Sequence, residues 1–145
     1  QAVNPIGSTF ADVRLANSGG AAINMGGGLT VGGNLALDGG VLTTAVSTVL
    51  QGDVTRTAGG ISSTGTLRFQ GSVPQSFDPT GSTLTDLQIA NTGPSAVTVS
   101  GPLAVGAIAL ESGTLAMGAL ALALLRRWPA PAPGLWSNVS GEGVR

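Results

Sequence analysis

The side chains able to do chemistry in this chain are few, and their types restrict it before spacing is considered. Its 145 residues include no His, Cys, Lys or Tyr, so the usual general bases, thiol nucleophiles and Schiff-base amines are missing. Seven carboxylates remain: Asp12, Asp38, Asp53, Asp78, Asp86, Glu111 and Glu142, spread without a cluster. Asp12 and Asp86 stand at the same position of an internal repeat, where a residue capping a strand or turn is expected rather than a repeated ligand site. Arg68, between Leu67 and Phe69, has the residue type that serves as base in some β-helix polysaccharide lyases. Its flanking pair reads instead as an outward arginine on a strand. Calcium needs several oxygens converging in one loop, and no D-x-D-x-D or Gly/Asp nonapeptide pattern occurs. No enzyme activity, cofactor or metal site is therefore expected.

Composition excludes further classes. Charged residues make up 9% of the chain, with net charge −1 and all six basic residues arginine, against roughly 25% charged in average proteins. Nucleic acid demands clustered Lys and Arg, which are missing. Disorder is disfavoured because 42% of the residues are hydrophobic. Leu115 to Leu125 is too short an apolar run to cross a bilayer as a helix. The first residue is Gln rather than Met, which points to a processed N-terminus, as after signal-peptide removal. Without Cys there are no disulfides to staple the fold.

The elements that must position these residues are short. Apolar pairs flank one small or polar residue at Val13/Leu15, Ile23/Met25, Leu29/Val31, Leu35/Leu37 and Leu67/Phe69, then at Leu87/Ile89, Val97/Val99, Leu103/Val105 and Ile108/Leu110. Period-2 alternation is the strand signature, with one face buried. Turn formers separate the pairs, among them Asn17-Ser18-Gly19-Gly20, Gly26-Gly27-Gly28, Asp38-Gly39-Gly40 and Asn91-Thr92-Gly93. Asn17 and Asn91 each follow a strand, and a corner role is expected for both.

The chain also resembles itself. Gln1-Ala-Val-Asn-Pro-Ile-Gly-Ser-Thr matches Gln75-Ser-Phe-Asp-Pro-Thr-Gly-Ser-Thr, 74 positions later, and Ala16-Asn17 then meets Ala90-Asn91. Self-similarity of this kind marks arrays whose units bury their apolar faces on one another. The expected fold is all-β: a parallel β-solenoid built from two tandem repeats of about 74 residues, with about 20 residues per turn. A β-sandwich is the alternative. Residues 1–74 form the first unit and 75–123 the second, and 124–145 form a diverged last turn or proline-rich tail. Residues 1–42 and 75–115 should then superpose, facing one core.

Gly65-Thr-Leu-Arg-Phe-Gln-Gly-Ser, Leu84-Thr-Asp-Leu-Gln-Ile-Ala-Asn-Thr-Gly and Leu110-Glu-Ser-Gly-Thr-Leu resemble the β-strand repeats of large secreted bacterial surface proteins, of adhesin or autotransporter type. The resemblance covers about residues 1–123. It implies a right-handed parallel β-helix, export to the cell surface, and adhesive or scaffolding work, and it brings no catalytic residue. This chain is much shorter than such arrays.

Two functions follow as expectations. One is an extracellular structural protein whose subunits stack head to tail into a fibre or coat, with Gln1, Ala2 and Val3 meeting Trp128, Leu135 and Trp136 of the next copy. The other is an adhesin or glycan-binding module, with surface glycans as partners, which would require exposed aromatics on a groove. Asn138-Val-Ser140 matches a glycosylation pattern, a signal of little weight in a Ser-rich chain.

Overall fold

The computed structural model describes residues 1–20, 22–93 and 96–117, together with the strand at 122–124. Trp128, Leu135, Trp136 and the rest of the tail lie outside the described residues. Every regular element described is a strand. Turn one holds β1 (Ala2–Val3), β2 (Thr9–Phe10) and β3 (Val13–Ala16). Turn two repeats the layout with β4 (Ala22–Met25), β5 (Leu29–Val31) and β6 (Leu35–Gly39). Turn three follows with β7 (Val41–Thr44), β8 (Thr48–Leu50) and β9 (Val54–Arg56). From turn four the first two segments merge. The pairs are then β10 (Gly60–Phe69) with β11 (Gln75–Phe77), β12 (Thr83–Ala90) with β13 (Ala96–Val99), and β14 (Leu103–Ser112) with β15 (Thr114–Met117). β16 (Leu122–Leu124) opens a seventh turn.

Each strand pairs in parallel with its counterpart one turn on. One sheet runs β1-β4-β7-β10-β12-β14-β16 with β2, β5 and β8 alongside, and the other runs β3-β6-β9-β11-β13-β15. The molecule is a right-handed parallel β-solenoid of about six turns. Along one column the Cα partners are Val3, Met25, Thr44, Ser63, Leu84, Val105 and Leu124, so a turn takes 19 to 22 residues there. Alternation aims every second side chain inward, as the apolar pairs require. Leu15, Ile23, Met25, Leu87, Ile89, Val97 and Val99 are all buried, while Val13 is half-buried in turn one. Phe69 and Phe77, from the two sheets, meet across the core with ring centroids 5.2 Å apart.

The 74-residue offset does not coincide with the spatial repeat. It falls between three and four turns, so Ala2–Val3 in one sheet would meet Ser76–Phe77 in the other. Likewise Leu15 lies in β3 and Ile89 in β12, on different sheets. Residues 1–42 and 75–115 therefore do not share a layout. The repeating unit in space is the single turn.

Polar groups taken inside are satisfied by corner bonds. The Thr44 hydroxyl donates to Val46 O at 3.0 Å, and the Ser63 hydroxyl to Gly65 O at 2.9 Å. Among the described residues no buried side-chain polar atom lacks a partner.

Candidate assembly surface

Burial along the solenoid is complete in its middle and incomplete at the first and sixth turns. Among the described residues, the hydrophobics only partly buried against the core are Val3 and Val13 at one end, and Ile108, Leu115 and Met117 at the other. One inward column makes the contrast plain: Phe10, Val31, Leu50, Phe69, Ile89 and Leu110 are successive Cα partners. Its four middle members are buried, whereas Phe10 is 38% exposed and Leu110 61% exposed. Leu110 occupies a core position that β16 does not reach, since β16 pairs only with Leu103–Val105.

At the first turn the edge is open in its backbone as well. Asn24 N–H donates to Gln1 O at 2.8 Å and Gly26 N–H to Val3 O at 2.9 Å. Alternate residues of a strand bond to opposite sides, so the N–H and C=O of Ala2 face away from turn two. On the other sheet Val13 N–H donates to Asn34 O at 2.9 Å, which leaves the Arg14 backbone facing away. Inside this rim lies a cavity of about 580 Å3, lined by Val3, Phe10, Val13, Leu15, Ile23 and Met25 among others. Gln1 and Val3 thus line this opening with Ala2 between them, beside the polar side chains of Asp12, Arg14 and Asn17, and the Gln1 ammonium donates to Ala22 O at 3.2 Å.

The carboxylates serve the corners and the outer faces. Asp12 Oδ1 accepts Asn34 N–H at 2.7 Å, Asn34 Oδ1 accepts Asp53 N–H at 3.0 Å, and Asp53 Oδ1 accepts Ser76 N–H at 2.7 Å. This ladder climbs three turns at one corner and satisfies backbone donors where the chain leaves the first sheet. Asp86 lies elsewhere, in β12 between Thr66 and Ala107 of neighbouring turns, so Asp12 and Asp86 are not equivalent positions. Asp38 pairs with Arg14 and accepts the Thr57 hydroxyl at 3.2 Å. The Arg14 hydrogen bond is the main reason its carboxyl is held below the ordinary value. Asp78 is likewise lowered, chiefly by the Thr80 side chain, with Thr80 N–H 3.0 Å from Oδ1.

Arg68 is committed to its neighbours. It donates to Gln70 Oε1 at 3.0 Å and to Gln88, and lies 2.8 Å from Glu111 Oε2. These are outer-face contacts spanning three turns, and among the described residues no second basic group joins them. Asn17 and Asn91 both stand at corners, as their sequence context predicts. Each accepts the N–H two residues on, from Gly19 at 3.1 Å and from Gly93 at 2.8 Å.

The chain matches no protein-family model, and neither curated proteins nor solved structures give a match. Sequence reasoning missed Phe10 and Leu110 as the two ends of one column. Their signal is weak because Phe10 stands alone, without an alternating apolar partner. The corner ladder from Asp12 was also missed, since its members are two Asp and one Asn at unequal spacings.

Proposed function

We propose that this chain is a structural β-solenoid segment of an exported surface protein, and that copies stack end to end into a fibre or coat. The observation that carries the reading is that, among the described residues, incomplete core burial is confined to turns one and six. A solenoid end exposes unpaired strand groups and apolar side chains, a liability that proteins cap or pair. The mouth of turn one has edges on both sheets around one cavity, so a single added strand would cover only part of it. Another solenoid turn of the same perimeter covers it all. The two surfaces brought together differ, which makes the contact heterologous and the growth open-ended. A low overall charge of −1 offers little repulsion between copies. Export rests on the resemblance to secreted surface repeats.

The glycan-binding reading lacks such a carrier. Of the aromatic residues described, Phe69 and Phe77 are buried and Phe10 lines the open mouth.

Sedimentation velocity and negative-stain electron microscopy of the purified chain test the proposal. Filaments, or a sedimentation coefficient rising with concentration, are expected. A monodisperse monomer at high concentration would overturn it.

A further inference from the structure

The geometry points to one register for the joint: β16 of one copy pairs in parallel with β1 of the next, with Ala123 opposite Ala2. This rests on the end-to-end reading above and specifies which edges meet. The two strands belong to a single column set. Val3, Met25, Thr44, Ser63, Leu84, Val105 and Leu124 are successive partners, and Ala2 lies opposite Asn24 just as Ala104 lies opposite Ala123. Among the described residues, β1 is therefore the first strand of this column set and β16 the last.

The hydrogen-bonding phase also fits. Asn24 N–H donates back to Gln1 O, and Gly26 N–H to Val3 O. Leu122 and Leu124 hold the register positions of Gln1 and Val3, so their carbonyls face the following turn. Ala2 of a second copy holds Asn24's position, and its N–H faces the preceding turn. Seated in column, Ala2 N–H meets Leu122 O, and Asn4 N–H meets Leu124 O. A slip of one residue would set two outward-facing carbonyl rows against one another and turn each inward side chain outward.

The absence of cysteine from the chain makes cross-linking a clean test. Neighbouring strands lie about 4.8 Å apart, within the Cα separation of about 4.4–6.8 Å that a disulfide spans. The Ala2→Cys/Ala123→Cys double variant should convert, on mild oxidation, from a monomer band to a ladder of covalent oligomers. A mixture of the two single variants should stop at dimers. Circular dichroism of the reduced proteins checks that each is folded, and Asn24→Cys/Ala123→Cys supplies a second pair at the adjacent turn. Efficient homodimers of Ala2→Cys alone would overturn the register in favour of a two-fold contact. A ladder from the second pair and none from the first would overturn it too, placing β16 where β1 lies. Assembly by sedimentation without any cross-link leaves end-to-end stacking standing and removes this register. A monomer by sedimentation removes the stacking itself, and this joint with it.

Discussion

The side-chain amide of Asn91 donates to the side-chain oxygen of Gln75 at 2.9 Å, and both residues are sealed from solvent. The same Asn91 amide donates to Val73 O at 2.8 Å, and the Gln75 amide donates to Leu50 O and Gly52 O at 3.0 Å. Two polar side chains thus tie three successive turns at one corner. Each polar group of the buried pair has a partner, and the pair reaches backbone carbonyls of the adjoining corner segments.

Asn91→Ala should therefore be costly, at about 3 kcal/mol, because it strands Gly93 N–H, Val73 O and Gln75 Oε1 together. Asn17→Ala removes the matching contact to Gly19 N–H at an exposed corner and should cost less than Asn91→Ala, because it opens no buried network. Urea unfolding of the two variants measures the difference. Equal losses would show that the corner bond, and not the buried network, sets the energy.

Gly59 has φ +82°, and an added Cβ would run into the Gly40 carbonyl of the turn below. Gly59→Ala should lose the left-handed conformational preference, about 1–2 kcal/mol, and more for the backbone collision. Gly7→Ala has φ +68° with open space around it, so only the conformational part should appear. Thermal unfolding that ranks Gly7→Ala as the worse variant would contradict the packing of turns at this corner.

Within the Phe10 column, position decides energy. Ile89→Ala empties a fully buried site and should cost about 2–5 kcal/mol. Leu110→Ala removes the next member of the same column, 61% exposed, and should cost under about 1 kcal/mol in the monomer. Denaturant midpoints at low protein concentration provide the comparison.

The contrast between those two residues shows what the sequence could carry. Alternating pairs such as Leu87/Ile89 and Val97/Val99 marked inward positions correctly, because burial on one face of a strand leaves a period of two. Ile108/Leu110 has the same pattern, yet only the stacking of turns tells which rung has a neighbour. The 74-residue match misled for a related reason. Ala16-Asn17 and Ala90-Asn91 are alike because each Asn closes a strand by accepting the N–H two residues on. That is local corner chemistry, which recurs at any corner and does not count turns. Unequal loops, five residues between β1 and β2 but three between β4 and β5, blur the true period further.

Acid should weaken the fold through Asp38 and Asp78. Both carboxyls lie below the ordinary value of 3.8 when folded, so the folded chain keeps them charged to lower pH than the unfolded chain does. The stability this brings is complete above the unfolded value and is lost as pH falls through the folded ones. Melting temperature should be flat from neutral pH to about 5 and decline below about 4. Asp38→Asn/Asp78→Asn should flatten that decline. An unchanged acid limb in the double variant would assign the loss to other groups.

The open edge can be blocked without touching the fold. Proline has no N–H, and in sheets it is tolerated where that N–H would face solvent at an edge. Ala2 is such a position: its exposed side chain leaves room for the ring, and its N–H faces away from turn two because Gln1 and Val3 make the bonds to Asn24 and Gly26. Ala2→Pro should thus leave the unfolding midpoint of the monomer within about 0.5 kcal/mol of the parent. In a stack the same substitution deletes the donor to Leu122 O and sets a ring against the incoming strand, so assembly should weaken by at least tenfold in critical concentration. Asn24→Pro is the counterpart in which the N–H is already used, donating to Gln1 O, and it should destabilise the monomer itself. Sedimentation velocity across a concentration series, paired with urea unfolding, separates the two effects. If Ala2→Pro assembles like the parent while remaining folded, the first strand is not part of the joint.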